Sequence, residues 1–256
     1  MRTAFLFLFL VISSPSLQAQ TDWGRVISGT IKAGRALTIT DEDLAKAVKK
    51  EVELMDSKNK VCSKNSSYTK RLQKLTKGMT DADGIPLNFK VYMTKDVNAF
   101  ACPDGSVRVY SALMDALTDN ELLGVLGHEI GHVALRHSKK AWRSAMLRSA
   151  ASDAIGSRST TWATISDSFL GDISSIALSA SNSRYHETQA DEYGYSFLEK
   201  CGKNPMAMVS MLEKLKKLSE NKNSSKYKKW LQAFSSHPDF DKRIEHINYI
   251  AHKDIN

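Results

Sequence analysis

A chain of 256 residues with 42% hydrophobic and 25% charged side chains has room for one large domain or two small ones and the composition of an ordinary globular protein. Thirteen Gly and five Pro, with no internal period, exclude collagen-like, low-complexity and solenoid architectures. The net charge of +8 leaves nucleic acid, anionic lipid and cell-envelope polymers open as partners, or reports nothing beyond solubility.

In chain order, Arg2 is followed by an apolar run from Ala4 to Ile12, then by Ser13-Ser14-Pro15-Ser16 and Leu17-Gln18-Ala19. A basic start, a short apolar core and a small exit residue form the pattern of a secretory signal peptide over residues 1–19, and the run is too short to span a membrane. Cleavage after Ala19 would remove the charge of Arg2 and leave 237 residues carrying +7, here expected to form one periplasmic domain over residues 20–256. No Cys follows the apolar run, so the start of a diacylated lipoprotein is missing. Cys62, Cys102 and Cys201 lack zinc-ribbon spacing and allow at most one intramolecular disulfide.

Asp41-Glu42-Asp43 ahead of Leu44, Val48, Val52 and Met55 predicts a helix with acid in its first turn. A second helix is expected over 67–78, and Asp81-Ala82-Asp83-Gly84 with Pro86 marks a turn. Alternation predicts strands over 87–93, 99–102 and 107–110, the last two joined as a hairpin by Pro103-Asp104-Gly105-Ser106. Thr118-Asp119-Asn120-Glu121 then caps a long amphipathic helix through Leu122, Leu126, Ile130 and Val133. Residues 139–183, with Trp142, Trp162, Phe169 and Leu170, read as one or two helices covering the core. Further helices are expected over 183–200, 205–219 and 239–251, with a basic linker over 222–229. Helices, a small antiparallel sheet and helices again describe a single, mostly helical α+β domain.

His128-Glu129-Ile130-Gly131-His132 lies inside the long helix. Two histidines four residues apart project from one helical face and can hold one Zn²⁺ through neutral imidazole nitrogens, with Glu129 beside the metal to take a proton from water. Hydrolytic zinc needs a third protein ligand. His137 falls five residues after His132, roughly 140° around a continuing helix, and is expected at the surface beside Arg136, Lys139 and Lys140. Glu187 and Asp191 sit one turn apart on a predicted helix. Glu187 would complete a His-His-Glu site, and Asp191 would accept a hydrogen bond from the outer nitrogen of a zinc histidine and fix its tautomer.

Glu187-x-x-x-Asp191 after His128-Glu129-x-x-His132 resembles the gluzincins. Arg184-x-x-Glu187-x-x-Ala190-Asp191-x-x-Gly194 is similar to the second signature of the family containing HtpX-type and CAAX prenyl proteases. The resemblance extends over about Val91 to Arg243. It is strongest to small periplasmic YggG (LoiP)-like members, through Asn98-Ala99-Phe100-Ala101 and Val107-Arg108-Val109-Tyr110-Ser111. The membrane-spanning helices of the HtpX branch and the lipobox cysteine of YggG-like proteins are missing. Ser236-His237-Pro238 and Arg243 resemble the family's His-Pro and Arg pair. The resemblance implies a zincin-like fold and a site in which His237 or Arg243 steadies the oxyanion on the attacked carbonyl, or His237 caps the open zinc position. His186, His246 and His252 receive no role.

The expected activity is zinc-dependent endopeptidase action on unfolded or misfolded envelope proteins, with one Zn²⁺ on His128, His132 and Glu187 and with Glu129 as general base. The strand over 98–102 offers an edge where an extended substrate pairs. The alternative is a zinc-stabilised, non-catalytic periplasmic chaperone or assembly factor. Nucleic-acid binding is not expected, because Lys226-Tyr227-Lys228-Lys229-Trp230 is short and reads as a solvated face.

Overall fold

The computed structural model describes residues 34, 36–155, 183–220, 237 and 239–253. The expected signal peptide, the linker over 222–229, and Trp162, Phe169 and Leu170 lie outside the described residues. The elements in order are α1 (Asp41–Lys58), α2 (Ser67–Leu75), β1 (Asp81–Ala82), β2 (Ile85–Pro86), β3 (Asn88–Tyr92), β4 (Ala99–Ala101), β5 (Ser106–Tyr110), α3 (Ser111–Ala116), α4 (Asp119–Ala134), α5 (His137–Ile155), α6 (Arg184–Lys200), α7 (Ala207–Glu220) and α8 (Phe240–Lys253). The mostly helical α+β class expected from the sequence is the class observed. Among the described residues no helix is long and apolar enough to cross a membrane.

Helices α1 and α4 begin with the same device. The hydroxyls of Thr40 and Thr118 accept from the backbone N–H of Asp43 and Glu121, whose carboxylates accept in return from the cap N–H groups. Each pair satisfies two helix-end donors that would otherwise lack partners. Helix α2 is shorter than expected, ending where Thr76 N–H donates back to Leu72 O.

The three-stranded sheet has the order β3-β5-β4. Strands β4 and β5 form the expected antiparallel hairpin, whereas β3 runs parallel to β5, with Phe89 opposite Val107 and Val91 opposite Val109. The sheet is therefore mixed, and a separate antiparallel pair joins β1 to β2. Gly105 in the hairpin turn has φ +80°, and a Cβ there would collide with the carbonyl of Pro86. Backbone conformation and space thus both require glycine. Strand β4 lies at one edge of this sheet, against α4.

The main core joins Val107, Val109, Leu122, Leu126, Leu198 and Met208, all fully or almost fully buried. A second cluster packs Trp142 of α5 against Leu44, Ala47 and Val48 of α1. Among the described residues the helix pair in most extensive contact is α4 with α6. A Cβ on Gly127 would lie 2.7 Å from Phe197 Cδ1 and 3.1 Å from the Cα of Gly194, and one on Gly194 would lie 3.2 Å from the backbone nitrogen of His128. Missing side chains let the two backbones approach until short carboxylates on α6 reach histidines on α4. Cys62, Cys102 and Cys201 are free thiols.

Candidate metal centre

His128, Glu129 and His132 project from α4, and Glu187 and Asp191 from the first two turns of α6. His237 enters from the segment before α8, and Arg243 from α8 itself. All seven side chains are buried. One potential ligand atom from each of His128, His132, Glu187 and His237 lies within 4.8 Å of the others. The His128 and His132 Nε2 atoms are 3.1 Å apart, Glu187 Oε2 is 3.4 Å from His128 Nε2, and Glu187 Oε1 is 3.5 Å from His132 Nε2. His237 Nδ1 lies 2.8 Å from Glu187 Oε2 and 3.3 Å from His128 Nε2.

This set fits a divalent metal. Glu187 Oε1 is buried without a hydrogen-bond partner, and buried polar atoms in folded proteins rarely go unpaired. Two imidazoles and a carboxylate converging at this range are the donors zinc takes. The surroundings also favour a cation. Burial lowers the affinity of His128 for a proton, but Asp191 and Glu187 outweigh it and bring the pKa up to about 9. Burial pushes the Glu187 carboxyl up, yet His237 and His128 hold it far below the usual carboxylate range. Metal binding would displace the proton such a site otherwise attracts.

Asp191 and Arg243 brace the cluster. Asp191 Oδ1 accepts from His128 Nδ1–H at 2.9 Å, which directs the Nε2 lone pair inward. Arg243 donates to Asp191 through Nε at 2.6 Å and Nη2 at 2.7 Å, while Nη1 lies 3.2 Å from Glu187 Oε2. Burial opposes ionisation of Asp191, but Arg243 and His128 hold its pKa below the usual value. The guanidinium is thus engaged chiefly by these carboxylates, with Nη1 also donating to the His237 carbonyl oxygen at 3.5 Å.

Glu129 Oε2 accepts from the Ala101 N–H at 3.0 Å, and Oε1 is 3.7 Å from His237 Nε2. Burial raises its pKa against the pull of His237 and His128. A carboxylate whose pKa is raised is a stronger base, better able to take a proton from water.

His137 is not at the surface. Its ring is 1% exposed and its Nδ1 lies 2.9 Å from His132 Nδ1. The expectation assumed a helix continuing past His132. Instead α4 ends at Ala134, and Arg136 adopts φ +55°, held by its own contacts to Asp41, Asp83 and Ala134 O. That left-handed residue turns the chain back and returns His137 to the site. Burial, then the nearby His186, lowers the His137 pKa to about 4. His186 stacks on His137 with centroids 4.2 Å apart, and His246 Nε2 lies 2.7 Å from Glu192 Oε1. No glycine or proline marks the break, so composition carried no signal for His137.

The chain is 41% identical over 227 residues to Metalloprotease YcaL of Escherichia coli K12, covering 88% of this chain and 87% of that protein. It is 37% identical to Metalloprotease LoiP of the same organism over equal shares. The crystal structure of Ste24p from S. mikatae aligns with 89% of this chain and 58% of its own, at 19% identity and TM-score 0.45. The sequence pattern of peptidase family M48 matches residues 66–251, a span holding every residue of the buried cluster, and the chain belongs to that family of metallopeptidases, hydrolases of peptide bonds.

Proposed function

We propose that this metallopeptidase is a zinc-dependent endopeptidase of the cell envelope, acting on unfolded or misfolded polypeptides. The observation that carries the zinc reading is the convergence of His128 Nε2, His132 Nε2 and the otherwise unpartnered Glu187 Oε1. These three residues would hold the ion. When bound, zinc supplies Lewis-acid polarisation of the scissile carbonyl and makes water acidic enough to attack near neutral pH.

The protein's own groups do the rest. Glu129, fixed through Oε2 by the Ala101 N–H, keeps Oε1 for the attacking water's proton and delivers that proton to the leaving amine. His237, beside Glu129 and Glu187, donates to the oxyanion developing on the substrate carbonyl. Arg243, its donors held by Asp191 and Glu187, keeps the carboxylates in place rather than reaching the substrate. An extended polypeptide adds to the outer edge of β4, which runs beside α4, and only a flexible segment can do so.

The envelope assignment rests on the export pattern of residues 1–19, whose removal after Ala19 leaves one periplasmic domain. Casein digestion with and without chelator, followed by zinc add-back, tests the activity. Glu129→Gln should retain stoichiometric zinc yet lose at least about 100-fold in cleavage rate. Undiminished cleavage by that variant would remove Glu129 from the mechanism.

A further inference from the structure

We propose that His137, backed by Gln189, is a positioning residue that sets the tautomer of His132 and so aims its Nε2 lone pair into the metal site. The inference rests on the reading of His132 as a ligand and adds a part that the ligand set lacks. His128 has Asp191 behind it, but among the described residues no carboxylate stands behind His132. In that place is another imidazole, with His137 Nδ1 2.9 Å from His132 Nδ1.

Two ring nitrogens at that distance share one hydrogen, and its ownership decides whether His132 can bind a metal. If His137 donates, neutral His132 must carry its own hydrogen on Nε2, pointing at the other ligands and blocking coordination. If His132 donates, Nε2 is free. The far side of His137 selects between these states. His137 Nε2 lies 3.3 Å from Gln189 Oε1, and an amide oxygen can only accept. His137 therefore carries its hydrogen on Nε2, presents a lone pair at Nδ1 and accepts from His132 Nδ1–H. The polarity runs from His132 through His137 to Gln189.

Geometry holds the relay rigid. The break at Arg136 delivers His137 edge-on to His132, with centroids 4.9 Å apart at 75°. The His186 ring lies against the His137 face at 4.2 Å and 12°. Gln189 stands on α6 between Glu187 and Asp191 in sequence, so one helix supplies a ligand and backs both histidines.

The test compares near-isosteric substitutions in the full chain. His137→Asn places an accepting Oδ1 close to the lost Nδ1, whereas His137→Leu fills similar space with no acceptor. Zinc affinity, read by competition with a chromophoric chelator, should fall about 10–100-fold in His137→Leu and remain within a few-fold of wild type in His137→Asn, the range expected for a partner behind a ligand. Gln189→Glu, which can only accept when ionised, should also stay near wild type. ¹⁵N NMR of the zinc-loaded wild type should show the His137 proton on Nε2 and its Nδ1 bare. Equal affinities for the Leu and Asn variants, or a His137 carrying its proton on Nδ1, would overturn the proposal. If His137→Leu does not fold, the Gln189→Glu affinity and the wild-type spectrum decide. Failure of the wild type to bind zinc at all would instead sink the metal reading beneath it.

Discussion

A buried group costs stability unless it is paired, and at the residue scale this protein's chemistry follows that rule closely. Arg243 is fully enclosed and survives as a cation because Asp191 takes two of its donors and Glu187 faces a third nitrogen. Arg243→Ala leaves two buried carboxylates facing each other's field, and the expected loss is about 3–5 kcal/mol, measurable by urea unfolding of the metal-free protein. Cys102 shows the opposite case, a buried thiol for which the pull of Arg108 does not make up for burial. Burial, with Asp104 nearby, pushes its pKa up, so almost no thiolate forms at neutral pH. A maleimide should therefore label exposed Cys201 in the native protein and Cys102 only after denaturation. Rapid native labelling of Cys102 would contradict its burial. The same scale shows what a sequence can carry. His128 and His132, like Glu187 and Asp191, were legible because spacing of four on a helix fixes a shared face whatever surrounds it. His137 was not, because its place depends on a left-handed Arg136 whose stabilisation comes from Asp41 and Asp83, far away along the chain.

Between elements, distance of approach decides whether those residues meet. Gly127 lies where α4 crosses α6, and Gly127→Ala would drive a methyl into Phe197 and the Gly194 backbone. Overpacking of this kind costs about 1–3 kcal/mol, partly offset by the ~1 kcal/mol that Ala gains over Gly in helix propensity. The telling readout is zinc affinity, which should weaken as Glu187 is pushed from His128; unchanged affinity would mean that α6 accommodates the methyl elsewhere. On the other side of the sheet, α1 is tied to β3 and β5 through Asp56, which accepts from Arg108 Nε at 2.8 Å, Lys90 Nζ at 2.7 Å and Tyr92 Oη at 2.6 Å. Burial works against ionisation, but Arg108, Lys90 and Tyr92 outweigh it and lower the Asp56 pKa to about 2. A depressed folded pKa contributes stability that is fully present above the unfolded value and lost as pH falls through the folded one. Asp56 should therefore contribute about 1–2 kcal/mol, lost between about pH 4 and pH 2, and Asp56→Asn should flatten that limb of the stability curve. Alternation located the three strands of this sheet, but not their order. The Asp104-Gly105 turn advertises the local β4–β5 hairpin, whereas the parallel pairing of β3 with β5 joins residues 18 positions apart and leaves no mark on either strand alone.

At the scale of the whole molecule, the metal site joins segments that are far apart in sequence. His128 and His132 come from α4 and Glu187 from α6, with His237 beside them from the approach to α8, so an ion held by the first three would clamp two parts of the chain that separate on unfolding. A ligand that binds only the folded state stabilises it by RT ln(1 + [L]/Kd), about 4 kcal/mol at a thousand times Kd. For a domain of this size, that corresponds to a Tm shift of roughly 8–16 °C. Chelation should lower Tm by that order, and zinc should restore it. Magnesium should not, because it prefers oxygen donors in near-octahedral geometry and two of the three residues proposed to hold the ion are histidines. Glu129→Gln separates holding the metal from using it. Glu129 is not among the converging ligands, so its amide variant should show the same zinc-dependent Tm shift as the wild type while failing to cleave casein. A chelator-insensitive Tm in both proteins would mean that no ion bridges α4 and α6, whereas a shift lost only in the variant would make Glu129 a ligand instead of the base.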